Sequence, residues 1–134
     1  CDSCCCKRIM GDDDSISCGW GKGMTKAGPV WTGKLFDTEL AARSTIAAAG
    51  ADEKTKTFLK TIAEEAKIEG KAGVGFYAIE DICEKHKIGQ QPKTTDVIKS
   101  LRQKGYSAAQ THCTTTGVKT DAPLKTVLAA VKGK

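Results

Sequence analysis

No stretch of this sequence approaches the roughly 20 consecutive apolar residues that crossing a bilayer as a helix requires, and no charged-then-apolar leader is present. The expectation is a cytoplasmic protein with no membrane partner. Internal repeats are missing, and the one biased tract, Asp12-Asp13-Asp14, suits a solvated loop, so solenoids and arrays are excluded. Cysteine is nearly missing from the body of the chain. Of seven cysteines, Cys1, Cys4, Cys5, Cys6 and Cys18 crowd the first 18 residues, and only Cys83 and Cys113 lie beyond. An oxidised secreted scaffold spreads an even number of cysteines along the chain to staple its loops, so the clustering points to a metal rather than to disulfides. An initiating methionine is also missing, and the expectation is a fragment of a longer polypeptide.

What is present fits one domain with a small appended module. The 134 residues are 40% hydrophobic and 28% charged, far from the composition of a disordered chain. Lys and Arg number 21 against 16 Asp and Glu, a formal charge of +5, which permits a phosphate-rich partner without demanding one.

Residues 1–26 are rich in Cys, Gly and Asp without helical or strand period. They form an irregular module that needs a local crosslink, and residues 27–134 form the domain proper. Val30-Trp31-Thr32 is a short strand candidate. Asp37 caps a first helix that runs through an Ala-rich stretch to Gly50. Asp52 caps a second, in which Phe58, Leu59, Ile62, Ala63 and Ala66 form the apolar stripe, with Lys54, Lys56, Lys60, Glu64 and Glu65 outside. Phe76-Tyr77 suits a short buried segment. Ile79, Ile82, Cys83 and His86 then fall on one face of a third helix ending near Gly89.

Thr94 or Thr95 caps a fourth helix with Val97, Ile98 and Leu101 inside and Gly105 as its left-handed terminus. Tyr106 to Cys113 reads as a strand, Thr114 to Gly117 as a turn and Val118 to Thr120 as a returning strand. Asp121 caps a last helix with Leu124, Val127, Leu128 and Val131 inside and Pro123 in its first turn. The predicted class is α+β: about five helices packed with short antiparallel strands, in a two-layer, winged-helix-like arrangement toward the C terminus.

Lys99, Arg102, Lys104, Lys119 and Lys125 offer a basic surface over the fourth helix, the hairpin and the last helix, suited to phosphates. On charge alone a solvated helix face is the more ordinary reading. His112 and the loop Thr114 to Asp121, with Thr120, place an imidazole, hydroxyls and an amine on one turn. These can meet phosphate, ribose or a partner domain, or can simply build a hairpin. Cys83 and Cys113 read as core residues, and Trp31 and Tyr106 serve either the core or base stacking. Gly19, Gly21 and Gly23 lack the preceding strand and following helix of a dinucleotide or methyl-donor loop.

Asp96-Val97-Ile98-Lys99-Ser100-Leu101-Arg102-Gln103-Lys104-Gly105-Tyr106, then Thr111-His112 and Gly117-Val118-Lys119-Thr120-Asp121-Ala122, resembles the terminal block of the tRNA guanosine-26 N2,N2-dimethyltransferases. Ala27-Gly28-Pro29-Val30-Trp31-Thr32-Gly33 is similar to that family's Gly-Pro-aliphatic-Trp-x-Gly segment, which follows a cysteine-rich element there as here. The resemblance implies an S-adenosylmethionine-dependent enzyme whose donor site and chemistry belong to an amino-terminal Rossmann-like domain outside this chain. No catalytic residue is then expected here. Its partners are tRNA and that domain, and Lys99, Arg102, Lys104, His112, Lys119, Thr120 and Lys125 are the expected tRNA contacts.

Cys1-x-x-Cys4 with Cys18 has zinc-knuckle spacing, but Gly21 stands where the family's ribbon-like pattern has its next cysteine. Zinc on Cys1, Cys4 and Cys18 and a set of reduced cysteines both remain open. The reading from another class is a stand-alone winged-helix-like nucleic-acid or protein-interaction module without enzymatic activity.

Overall fold

The computed structural model describes residues 33–68, 70–72 and 75–133. The Cys-rich module at 1–26, its boundary with the domain, the strand candidate Val30-Trp31-Thr32 and the candidate zinc ligands Cys1, Cys4 and Cys18 lie outside the described residues.

Asp37 accepts a hydrogen bond from Leu40 N at 2.9 Å and starts helix α1, Thr38–Ala47, which buries none of its own side chains and ends in a 3₁₀ turn over Ala48–Gly50. Asp52 accepts from Lys54 N, Thr55 N and the Thr55 hydroxyl, and so starts helix α2, Glu53–Ala66. Both caps satisfy amides that have no partner inside the first turn. The Thr55 hydroxyl, followed by the Thr55 amide, holds the Asp52 carboxyl below its ordinary value. Helix α1 packs on α2.

Strand β1, Tyr77–Ala78, leads into helix α3, Ile79–Lys85, and a turn then reaches helix α4, Thr94–Gln103. Gly105 takes φ +86°, the left-handed conformation expected at this helix end. Strands β2, Ala108–Gln110, and β3, Gly117–Thr120, form an antiparallel hairpin, and helix α5, Leu124–Val131, follows. Among the described residues the three strands are antiparallel in the order β1-β3-β2, with Tyr77 opposite Val118 and Ala109 opposite Lys119. The helix-turn-helix followed by a hairpin and a last helix is the order expected from the sequence, and β1, expected only as a short buried segment, joins the sheet beside β3.

Two predicted caps are displaced. The residue before α4 is Lys93, and Thr94 instead donates its hydroxyl to Thr115 O at 3.0 Å, tying the helix to the hairpin turn. The residue before α5 is Pro123, and Asp121 accepts from Ser107 N at 2.9 Å, bracing the base of the hairpin. The predicted strand Tyr106 to Cys113 shortens to three residues, because beyond Gln110 the chain bends around the turn.

The main core joins Ile79 and Ile82 of α3, Val97 and Leu101 of α4, Val118 of β3 and Val127 and Val131 of α5. The opposite side of the sheet is covered too: Ala109 packs with Ile68 and Ala72, which follow α2. Helices on one face and α2 with its trailing loop on the other leave β3 buried at all four positions.

Gly117 is the tightest point. A Cβ there would collide with Thr111 Cγ2 and lie 2.8 Å from Thr114 Cγ2 and 2.9 Å from Phe76 Cδ2. Thr111 is fully buried and has no long side chain to swing aside. Gly117→Ala is therefore expected to destabilise the domain by about 1–3 kcal/mol, the usual cost of overpacking, as read by urea unfolding. An unchanged midpoint would show that the hairpin turn adjusts freely.

Candidate functional site

Residues that the sequence assigns to one basic surface separate into three environments. Lys99 and Arg102, one turn apart on α4, are exposed and line an open groove of about 720 Å³ whose other wall is α2. Arg102 is anchored at its root: Nε donates to Ala108 O at 2.8 Å and Nη2 lies 3.9 Å from Glu64 Oε2. Its side chain stays 52% exposed, so the guanidinium keeps a face for an incoming anion. Lys104 is exposed but ends the helix about 140° round the axis from Lys99, on the other flank of the buried stripe. Lys125 is exposed on α5 and does not line that groove.

Lys119 and Thr120 are corrections to the expected surface. Lys119 is only 3% exposed, with Nζ 3.6 Å from Glu65 Oε1 and 5.1 Å above the centre of the Phe36 ring. An amine committed to a buried carboxylate and an aromatic face is not presented to a phosphate chain. Thr120 donates its hydroxyl to Ser107 O at 2.7 Å and accepts from Ala122 N at 3.1 Å, which makes it a structural clasp at the foot of the hairpin.

His112, on the exposed rim, joins the assembly around the buried Glu65. Glu65 Oε2 accepts from His112 N at 3.0 Å and from Nδ1 at 2.8 Å, and Oε1 accepts from the Thr111 hydroxyl at 3.4 Å. Because an ionised carboxylate only accepts, that geometry places a proton on Nδ1. Phe36 and Phe58 meet the imidazole edge-on, with centroids 6.0 and 6.2 Å away. One carboxylate on α2 thus gathers the hairpin's backbone, imidazole and amine, fixing α2 against the sheet.

Glu65, expected on the outer face of α2, falls seven residues after Phe58 and three after Ile62, which is the apolar face; that spacing is the signal that could have found it. Cys113, expected in the core, is exposed, with Sγ 3.7 Å from His112 Nε2. Cys83 is buried as expected, and burial pushes its thiol above the ordinary value. Tyr106 packs against the main core, whereas Trp31 lies outside the described residues.

Among the described residues no cluster of three His, Cys, Asp or Glu side chains is placed to hold a metal, and no helix is long and apolar enough to cross a membrane. Nor do the described residues fit a methyl donor. The strand that enters a helix directly, β1 into α3, does so through Tyr77-Ala78-Ile79 with no glycine turn to cradle the ligand.

Residues 1–132 match the family of N2,N2-dimethylguanosine tRNA methyltransferases. The chain is 37% identical over 98 residues to a tRNA (guanine(26)-N(2))-dimethyltransferase of Methanosphaera stadtmanae, covering 73% of this chain and 25% of that protein. It is 27% identical over 135 residues to the same enzyme of Archaeoglobus fulgidus, covering 100% of this chain and 36% of that protein. Trm1 from Pyrococcus horikoshii, solved in complex with S-adenosyl-L-methionine, superposes with a TM-score of 0.67 at 28% identity, over 84% of this chain and 31% of that one. The chain therefore spans about a quarter to a third of the length of these relatives.

Proposed function

The chain belongs to the N2,N2-dimethylguanosine tRNA methyltransferase family, and on that premise we propose that it is the carboxy-terminal, tRNA-holding part of an S-adenosylmethionine-dependent enzyme that methylates N2 of guanine 26. The observation that carries this reading is the exposed pair Lys99 and Arg102 on a helix whose inner face is fully committed to the core. A rigid helix presenting cations holds the backbone of a folded RNA, which is recognised largely by shape and phosphate.

S-adenosylmethionine supplies the methyl group. On this reading the donor pocket, to which N2 of guanine 26 is presented, belongs to an amino-terminal domain of the same polypeptide. What this chain contributes is position. Methylating a paired or stacked guanine requires the base to leave the stack, and contacts to the rest of the tRNA provide the holding energy while it does. Lys104 and Lys125, exposed outside the groove, add further cations to the contact surface. The Glu65 assembly keeps the hairpin and α2 in fixed relation. A tRNA substrate supports a cytoplasmic location. The family match extends over nearly the whole chain, which favours this reading over a stand-alone binding module.

The test is a filter-binding and methyl-transfer assay on the 134-residue chain with an unmodified tRNA transcript and labelled S-adenosylmethionine. The expected result is salt-sensitive tRNA binding with no label transferred. Absence of binding at low salt, or label appearing in the RNA, contradicts the assignment.

A further inference from the structure

The groove between α2 and α4 reaches β2, an edge strand of the sheet, at Gln110. Its two walls carry cations from different elements: Lys60 stands on α2, opposite Lys99 and Arg102 on α4. Gln103 and Gln110 also line it, and Arg102 covers the free edge of β2 by donating to Ala108 O. Among the described residues Glu64 is the single carboxylate in the lining.

Building on the reading of the chain as tRNA-holding, we propose that this groove seats one phosphodiester strand of the tRNA. Lys60 is then a phosphate contact facing Lys99 and Arg102, and Gln103 and Gln110 meet the ribose 2′-hydroxyls.

Three features of the groove carry the proposal. Cations on facing walls suit a ligand whose charge is repeated along its length, since each wall meets a different phosphate. A compact anion would need them to converge on one point. The amides of Gln103 and Gln110 both donate and accept, which matches a 2′-hydroxyl that does the same and that distinguishes RNA from DNA. Glu64 reports the field inside the groove. A hydrogen bond from Lys67 at 2.6 Å is the main cause of its lowered carboxyl pKa, and Arg102 on one wall and Lys60 on the other lower it further, so charge from both walls acts within the groove. In the unliganded chain Glu64 offsets part of that charge and competes with phosphate.

The experiment measures binding of the 134-residue chain to a tRNA transcript across a salt series, and to one A-form stem made with ribose or with 2′-fluoro ribose. Lys60→Ala is expected to weaken tRNA binding several-fold and to reduce the slope of log K against log salt by about one. Glu64→Gln is expected to tighten binding. The double variant Gln103→Ala, Gln110→Ala is expected to keep the slope and lose the preference for ribose over 2′-fluoro. Circular dichroism confirms folding of each. If Lys60→Ala and Glu64→Gln bind as the unaltered chain does, while loss of Lys99, Arg102 and Lys104 still weakens binding, the groove is wrong and the basic surface stands. If the unaltered chain shows no salt-dependent binding at all, the surface itself is refuted.

Discussion

Glu65→Ala is expected to remove about 3–5 kcal/mol of folding stability, the usual consequence of breaking a buried ion pair from one side. The Glu65 and Lys119 side chains are 5% and 4% exposed, so the amine left behind loses this counter-charge in a site with little access to water. The His112 amide and the Thr111 hydroxyl lose their acceptor at the same time. In thermal unfolding the loss reads as a Tm lower by roughly 10 °C or more. Glu65→Gln combined with Lys119→Met should recover much of it, because the amide oxygen still accepts from His112 N, the amide NH2 donates to the Thr111 hydroxyl oxygen, and both charges are gone. Glu64→Gln, one residue away on the exposed side, should stay within about 0.5 kcal/mol of the unaltered chain. If Glu65→Ala is as mild as Glu64→Gln, α2 is not fixed to the hairpin through this carboxylate.

The second large effect concerns the RNA. Replacing Lys99 and Lys104 by Ala and Arg102 by Gln removes three positive charges from exposed positions. Gln at 102 retains a donor for the Ala108 carbonyl that Arg102 now caps. Each lost phosphate contact reduces the slope of log K against log salt by about one, so the triple variant is expected to lose up to roughly three and to bind weakly at low salt across all tRNA sequences. In the full-length enzyme the KM for tRNA should rise, while the KM for S-adenosylmethionine stays unchanged, since the donor site is proposed to lie outside this chain. A variant that binds tRNA normally but loses catalytic rate would move these residues from holding the RNA to a role in the reaction.

Most of the framework is legible in the sequence because local rules and tertiary packing agree. Leu124, Val127, Leu128 and Val131 recur at helical spacing, and all four are buried. Asp37 and Asp52 precede helices and cap them. Gly105 marks a left-handed helix end and adopts that conformation. The misplacement of Lys119 and Glu65 has one cause: the sequence does not say which face of a small sheet is covered. Along β3, Val118 points to the main core and Lys119 to the opposite face, as the two-residue period of a strand requires. Treating that second face as solvent puts Lys119 on the RNA surface. It is covered by α2, whose Glu65 reads as outward under the same assumption. Lys60 escapes notice for a related reason. Nothing in a helix's own periodicity reveals that its exposed side faces a second helix across a groove.

If exposed cations of this chain grip RNA phosphate, the salt dependence of tRNA binding measures that grip directly. The expected result is a steep fall in affinity as salt rises, with a slope that becomes shallower by about one for each of Lys99, Arg102 and Lys104 neutralised. A slope near zero, or one that the three substitutions leave unaltered, would contradict it.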